Sequence, residues 1–296
     1  MKVEINNLSK KYQGNDFYSL RDVNLTMDDG DIVGLIGKNG SGKSTLLKML
    51  GKFLHPTEGR IYFDGEDIQT SSNMLSNCGL LIETVFYSHL SVEENLKFII
   101  DLHHYEEYEK NVRPLLELVD LWDRRKDRAD SFSYGMKQRL ALVIALLHEP
   151  EFIILDEPFV GLDPIGVSKL INTLKEAANK EQTTMIISSH QLNELEAICN
   201  RYVFIENGQL VEKTNNEDLV QIKLVDVQQV ETLLSDSLRD QVKVDQEGMA
   251  LVIKEAASRE ELNQILETLA HHQLIESIEI GEHLERYFKE DTPWWA

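Results

Sequence analysis

The sequence predicts an α/β protein in two parts, a parallel α/β domain over residues 1–218 and a smaller α+β domain over 219–296. Three observations carry this reading. Short apolar runs alternate with helical periodicity through the first two hundred residues, the pattern of a mostly parallel sheet with crossover helices. A glycine-rich run, Gly37 to Ser44, lies between one such strand and one such helix. Near residue 220 the order changes to β-α-β-β-α-β, the order of a ferredoxin-like domain.

The elements follow in chain order. Val3 to Ile5 alternates and starts a strand. Asp31 to Gly37 (DIVGLIG) is apolar enough for a strand buried on both faces. Thr45 to Leu54 has helical spacing, and Ile61 to Phe63 is a short strand ended by the Asp64-Gly65 turn. Glu93 to Leu102 and Val112 to Leu121 read as amphipathic helices, and Tyr134 to Leu147 as a longer, more buried one that stops near Pro150. Phe152 to Asp156 and Thr183 to Ser188 are strand-like runs on either side of a helix over 165–179. In the second part, 223–227 reads as a strand and 228–238 as a helix. Residues 241–245 and 249–254 make a hairpin around Glu247-Gly248, followed by a helix over Arg259 to His271 and a strand over 274–280.

Composition narrows the function classes. Fifty-one acidic against 30 basic side chains give a net charge of -21, with 42% hydrophobic residues. Such a chain buries a core and is not globally disordered. The acidic balance argues against a nucleic-acid partner, because phosphate contacts need a basic face. The C-terminal part does not separate by charge, since 221–296 holds 16 acidic and 7 basic residues, a net of -9. The longest apolar run, Leu140 to Leu147, is eight residues, whereas a membrane helix needs about 20. The N-terminus, MKVEINNLSKKY, has no apolar signal-peptide core. Cys78 and Cys199 are too few for a disulfide framework and read as reduced, core-packed thiols of a cytoplasmic protein.

The chemistry centres on Gly37-Lys38-Asn39-Gly40-Ser41-Gly42-Lys43-Ser44, which satisfies G-x-x-x-x-G-K-S after a strand and before a helix. The pattern predicts a phosphate-binding loop of the P-loop NTPase type, a glycine-rich turn that caps a helix being the plainer alternative. Its glycines let the backbone wrap phosphate oxygens closely, and the N–H groups and helix dipole face the anion. Lys43 supplies a charge to the outer phosphates, and Ser44 can hold Mg²⁺. Gly37, Asn39, Gly40, Ser41, Gly42, Lys43, Ser44 and Thr45 form the candidate nucleotide-binding set. FIILDE (152–157) delivers Asp156 at the C-terminal edge of a strand as a second Mg²⁺ candidate, with Glu157 one residue on to polarise a water. The plainer alternative for the two acids is a helix N-cap.

With these motifs in place, the chain resembles the nucleotide-binding subunit of an ATP-binding-cassette (ABC) transporter, strongly over 1–215 and weakly beyond. The most discriminating stretch is Phe132-Ser133-Tyr134-Gly135-Met136-Lys137-Gln138-Arg139, which resembles the family signature. The usual core of that signature is L-S-G-G-Q. Phe132, Tyr134 and Met136 depart from it, while Ser133 and Gly135 keep the hydroxyl and bare N–H that clamp a γ-phosphate. Tyr12 resembles the aromatic that stacks on adenine, with Phe17 and Tyr18 as rivals. Val160-Gly161-Leu162-Asp163-Pro164 resembles the loop that contacts the opposite subunit, Asp163 being its main polar element, and otherwise reads as a helix-opening turn. His190 resembles the switch histidine that reaches the γ-phosphate; a surface histidine at a strand end is the alternative. Glu83 stands where the family usually has a hinge glutamine. A glutamate there can still orient the Mg²⁺-bound water, as a catalytic and metal-site candidate, while adding a negative charge near the metal; a solvated acid on a loop is the alternative. The LIET pattern (81–84) is similar to exporters of the bacitracin and lantibiotic-resistance group.

The resemblance implies an ABC ATPase core, with a helical subdomain over about 84–150, that uses ATP and Mg²⁺. Because one chain has one phosphate loop and one signature, two copies, or this chain and a paralogous ATPase subunit, would join head to tail around two composite sites. Transmembrane permease subunits would dock on the helical region over 84–130, with Tyr87, His89 and Leu90 as candidate contacts. Such a protein sits at the cytoplasmic face of the membrane and energises export of antimicrobial or cytolytic peptides or drugs. The rival class is a non-transport ABC ATPase of the translation or DNA-repair type. The C-terminal domain, with a closing helix over His283 to Lys289, reads as a dimer-contact or regulatory element, or else as a packing appendage. The Trp294-Trp295 tail reads either as an interface anchor or as disordered.

Overall fold

A computed structural model of the chain describes residues 1–71, 75–82, 86–213, 220–224, 230–234, 236–239, 241–244, 250–253, 259–272 and 274–280. The chain divides into two compact units, Met1–Lys213 and Thr214–Ala296. The expected domain boundary at 218/219 falls outside the described residues.

In the first unit the order is β1 (Val3–Lys10), β2 (Leu20–Met27), β3 (Ile32–Ile36), α1 (Lys43–Leu50), β4 (Glu58–Phe63), β5 (Glu66–Asp67) and β6 (Cys78–Leu81). Then come α2 (Val92–His103), α3 (Glu109–Leu118), α4 (Tyr134–Leu146), β7 (Phe152–Asp156), α5 (Pro164–Glu181), β8 (Thr184–Ser188), α6 (Leu192–Ile198), β9 (Arg201–Glu206) and β10 (Gln209–Lys213). They build two sheets. One is antiparallel, in the order β2-β1-β4-β5. The other runs β10-β9-β3-β8-β7-β6 and is parallel except for β10.

The central strands are apolar for a physical reason. Every residue of β3 and β8 is buried, and β7 is buried up to Asp156. A strand covered on both faces has no solvent side on which to place polar groups. The core packs residues of both sheets, among them Ile5, Leu25, Val33, Ile154 and Ile186, around Leu46, Leu47 and Leu50 of α1. β2 was not read from sequence, although one face is buried and Val23, Leu25 and Met27 alternate with exposed Asn24 and Thr26. β6, β9 and β10 were likewise unexpected, although β9 and β10 form a hairpin through Asn207-Gly208, both at positive φ. Neither cysteine takes part in a disulfide. Burial pushes Cys78 up to about 12 and raises Cys199 as well.

Side chains fix several helix starts. Ser91 and Glu94 form a reciprocal capping box at α2: Ser91 Oγ accepts from Glu94 N at 3.2 Å, and Glu94 Oε2 accepts from Ser91 N at 2.8 Å. A ring stack within the helical region is anchored outside it by hydrogen bonds, at Ser76 and at the Cys78 backbone. The Tyr105 ring lies between His103 (5.3 Å, 20°) and His148 (4.8 Å, 5°), and its hydroxyl donates to Ser76 O at 3.0 Å.

The second unit contains β11 (Val220–Leu224), α7 (Val230–Leu233), α8 (Asp236–Arg239), β12 (Val242–Val244), β13 (Ala250–Ile253), α9 (Arg259–His271) and β14 (Ile275–Ile280). Its sheet is antiparallel in the order β12-β13-β11-β14, which puts its first and third strands at the centre, as a ferredoxin-like β-α-β-β-α-β order requires. Ile222, Leu224, Val230, Leu234, Leu238, Ile265 and Leu269 form its core. The first strand lies three residues earlier than expected, at 220–224 rather than 223–227, because Ile222 and Leu224 are its buried alternation. The single helix expected over 228–238 is two short ones. The Glu247-Gly248 turn, the closing helix over 283–289 and the tryptophan tail lie outside the described residues.

His148 gives this fold a pH dependence. Burial, reinforced by His103, lowers its pKa from 6.5 to about 4, against a hydrogen bond to the Cys78 backbone that acts the other way. The unfolded chain therefore binds this proton more readily than the folded one. The stability contributed by neutral His148 is complete above pH 6.5 and is lost as pH falls toward 4. We expect H148Q to flatten the fall in thermal midpoint between pH 7 and 4.5. An unaltered pH dependence in that variant would show that another group sets the acid limit.

Candidate nucleotide-binding site

The phosphate loop is built by a chain that leaves β3 at Ile36 and enters α1 at Lys43. Two residues of the turn are left-handed, Gly40 at φ 81° and Gly42 at φ 118°. A Cβ at Gly42 would also stand 2.7 Å from Ser19 O, and one at Gly37 would stand 2.6 Å from Ile205 O. The loop is thus a cradle from which side chains are excluded. Gly42 caps α1 without a side-chain hydrogen bond, so no side chain covers the first helical N–H groups. Lys43 folds back over this turn. Its Nζ donates to Gly37 O at 2.6 Å and to Lys38 O at 3.3 Å. Burial lowers the Lys43 pKa, while the nearby Glu157 and Asp156 carboxylates act in the opposite sense.

The parallel register brings the acids to the same sheet edge. Asp156 ends β7 and pairs with Ser188 at the end of β8. Its Oδ2 accepts from Ser44 Oγ at 3.2 Å, and its Oδ1 accepts from Ser188 Oγ at 2.5 Å. Glu157 then leaves the sheet in a left-handed conformation, φ 54°, with its N–H donating to Ser188 O at 3.1 Å. Its carboxylate meets His190 twice: Oε1 lies 3.2 Å from His190 Nε2, and Oε2 accepts from His190 N at 3.2 Å. Burial pushes the Glu157 carboxyl up and Asp156 adds to the rise, while His190 and Lys43 pull it down; the balance is upward.

These groups surround a cleft of about 260 Å³ lined by Ser19, Asn39, Gly40, Gly42, Lys43, Ser44, Thr45, Asp156, Glu157 and His190. Gly37 and Ser41 stand behind it within the loop. Tyr12 is partly exposed beside α1, with its hydroxyl 3.4 Å from Thr45 Oγ1 and Lys10 Nζ 5.4 Å from its ring centroid. Of its rivals, Tyr18 donates to Glu58 at 3.0 Å and Phe17 is exposed. Among the described residues no three His, Cys, Asp or Glu side chains gather as a metal cluster. The donors present, one hydroxyl and one carboxylate at a phosphate cradle, suit a Mg²⁺ ion that shares its remaining positions with phosphate and water.

Other candidates stand apart from this cleft. Ser133 caps α4, accepting from Met136 N at 3.4 Å, and Asp163 caps α5, accepting from Gly166 N at 2.7 Å. Gly135 lies against Gly161, so closely that a Cβ at Gly135 would be 2.9 Å from Gly161 Cα. Ser133, Gly135 and Asp163 do not line the cleft of their own chain. Glu83 lies outside the described residues. In the helical region, exposed Tyr87 packs edge-on against Phe98 at 4.9 Å, and its backbone is fixed by buried Asn95. Ser188 and Ser19 were missed from sequence. Ser188 carries a signal in retrospect, as the first serine after the buried run Thr184–Ile187. Ser19 reaches the cleft through tertiary packing and has none.

Comparison with known proteins agrees with this geometry. Residues 20–160 match the ABC transporter family. The bacitracin transport ATP-binding protein BcrA of Enterococcus faecalis is 38% identical over 219 residues, covering 73% of this chain and 70% of that protein. The lantibiotic transport ATP-binding protein SrtF of Streptococcus pyogenes is 37% identical over 210 residues, 71% of this chain and 89% of that one. Among solved structures, the dimeric post-hydrolysis state of the ATP-binding cassette MJ0796 bound to ADP and Pi superposes with a TM-score of 0.66 at 25% identity, over 72% of this chain and 98% of that one. Among the described residues no helix is long and apolar enough to cross a membrane. ATP with Mg²⁺, a dimer of cassettes and membrane permease partners are the general setting of such ATPases, and the chain belongs to the ATP-binding proteins of ABC transporters.

Proposed function

We propose that this chain energises a bacterial exporter of antimicrobial or cytolytic peptides or drugs, and that its cleft is one half of a composite ATP site. The observation that carries the reading is the convergence of Lys43, Ser44, Asp156, Glu157 and His190 on one glycine cradle. The likeness to bacitracin and lantibiotic transport proteins supports the cargo class.

Bound ATP with Mg²⁺ supplies the phosphoryl group and the metal charge that neutralises its oxygens. Lys43 exchanges its bonds to Gly37 O and Lys38 O for phosphate oxygens. Ser44 and Asp156 would hold a Mg²⁺ ion, and Glu83 would orient its water. Glu157 accepts a proton from, or aligns, the attacking water, and the raised pKa makes its carboxylate a stronger base. His190 holds that carboxylate in place and faces the γ-phosphate. Tyr12 stacks on adenine. Ser133 and Gly135 serve the nucleotide of a second copy or a paralogous subunit joined head to tail, and Asp163 meets the opposite subunit. Permease subunits dock on the helical region over 84–130, where Tyr87 and His89 are exposed, and hold the chain at the cytoplasmic face of the membrane. The C-terminal unit contributes to dimer contact or regulation.

The roles separate experimentally. E157Q keeps ATP binding and ATP-driven dimerisation but lowers steady-state phosphate release by roughly 100-fold or more; release at the unmutated rate would remove Glu157 from the mechanism. K43A weakens ATP binding itself, by about tenfold or more, and calorimetry showing unchanged affinity would remove Lys43 from phosphate recognition. Purification of the tagged chain from its native membrane recovers a subunit with transmembrane helices. Recovery of ribosomes and no membrane protein would favour the non-transport alternative.

A further inference from the structure

α4 leaves the signature at Tyr134 and runs into the core, and one side chain on it reaches back to the catalytic strand. Gln138 is only 7% exposed. Its Nε2 donates to Asp156 O at 3.1 Å and to Glu157 O at 3.4 Å. These two carbonyls lie where β7 stops and the chain turns out of the sheet through the left-handed Glu157. This left-handed, non-glycine residue lies just beyond β7; its N–H donates to Ser188 O at 3.1 Å and Ser188 Oγ at 3.3 Å, and the carbonyls on either side of that peptide depend on other surroundings to fix the turn. Beneath the same segment, one helical turn earlier on α4, Gly135 lies against Gly161. The start of α4 thus braces residues 156–161 at two places: backbone on backbone at Gly161, and a carboxamide on the carbonyls of 156 and 157.

We infer that Gln138 is a positioning residue for the hydrolytic step: it holds the Glu157 peptide in the conformation that turns the carboxylate into the cleft beside Lys43 and His190. A glutamine suits this task, because its neutral amide offers two donors and adds no charge next to Asp156 and Lys43. Its place on the signature helix gives it a second consequence. Whatever moves the first turn of α4 moves the support under Glu157 in the same chain, so closure at the signature is felt at the chain's own hydrolytic centre. The inference rests on the reading of Glu157 as the group that aligns the attacking water.

The test uses the full chain with ATP and Mg²⁺. Q138M keeps the length of the side chain and removes the donor. The expected result is a kcat lowered ~10–100-fold, the scale of a small misplacement of a reacting group, with ATP affinity and thermal midpoint unchanged. In the E157Q background, Q138M produces no further loss, since a residue that acts through Glu157 has nothing left to position. Full kcat in Q138M while E157Q is inactive overturns the inference and leaves the Glu157 reading standing. An additive loss in the double variant, or a fall in ATP affinity and thermal midpoint that parallels kcat, also overturns it. Unimpaired turnover in E157Q overturns the underlying reading instead. Q138E, which cannot donate when ionised, supplies the same comparison should Q138M not fold.

Discussion

The parallel register of β3, β8 and β7 is the constraint on which the rest of this molecule depends. Ile32 pairs with Met185, and Asp156 pairs with Ser188, so the C-terminal ends of the strands emerge along one edge. Everything chemical is hung from that edge: the phosphate loop after Ile36, the two acids after Leu155, and His190 just beyond Ser188. Side chains alternate along a strand with a period of two, so a slip of one residue would send Asp156 to the opposite face. The wholly apolar interiors of these strands make the register costly to change, and the helices pack on both faces only in this arrangement.

A second theme is that several recognition residues also serve the backbone. Ser133 and Asp163 cap α4 and α5, and Lys43 satisfies the carbonyls of its own loop. Caps of this kind contribute about 0.5–2 kcal/mol each. A nucleotide or a partner that engages these groups therefore competes with, or adds to, an existing bond. The price is a lower gross affinity, and the return is a site whose polar groups are held in place while empty.

Much of this was readable from sequence, and the limits have physical causes. The phosphate loop and the Asp156-Glu157 pair were legible because a positive φ needs glycine and because a buried strand can show its carboxylates only at its end. The helix over 134–147 and the strands over 152–156 and 183–188 were legible as continuous apolar runs. β2, β9 and β10 were missed although β2 alternates and Asn207-Gly208 joins β9 to β10 in a hairpin, while β6 is only four residues and too short to show a period. In the second unit the strand start was misjudged because KLVDV and VQIKL are equally apolar, and only the packing of Ile222 against Ile265 and Leu269 separates them. Ser19 went unnoticed, and Gln138 was quoted in the signature without a role, because their partners lie on other elements, which no local pattern records.

The meeting of Gly135 and Gly161 limits how this protein can be redesigned. Each backbone occupies the space where the other's side chain would be, and Gly161 is in addition left-handed at φ 82°. Neither position tolerates even a methyl group unless both segments move apart, and no substitution at one can make room for a side chain at the other, which is already glycine. Tyr134, between Ser133 and Gly135, is under no such restraint, since it is 70% exposed. Variation in this signature is thereby channelled to the residue beside the glycine. A library aimed at partner preference or cycle rate has its freedom at position 134, and almost none one residue further along.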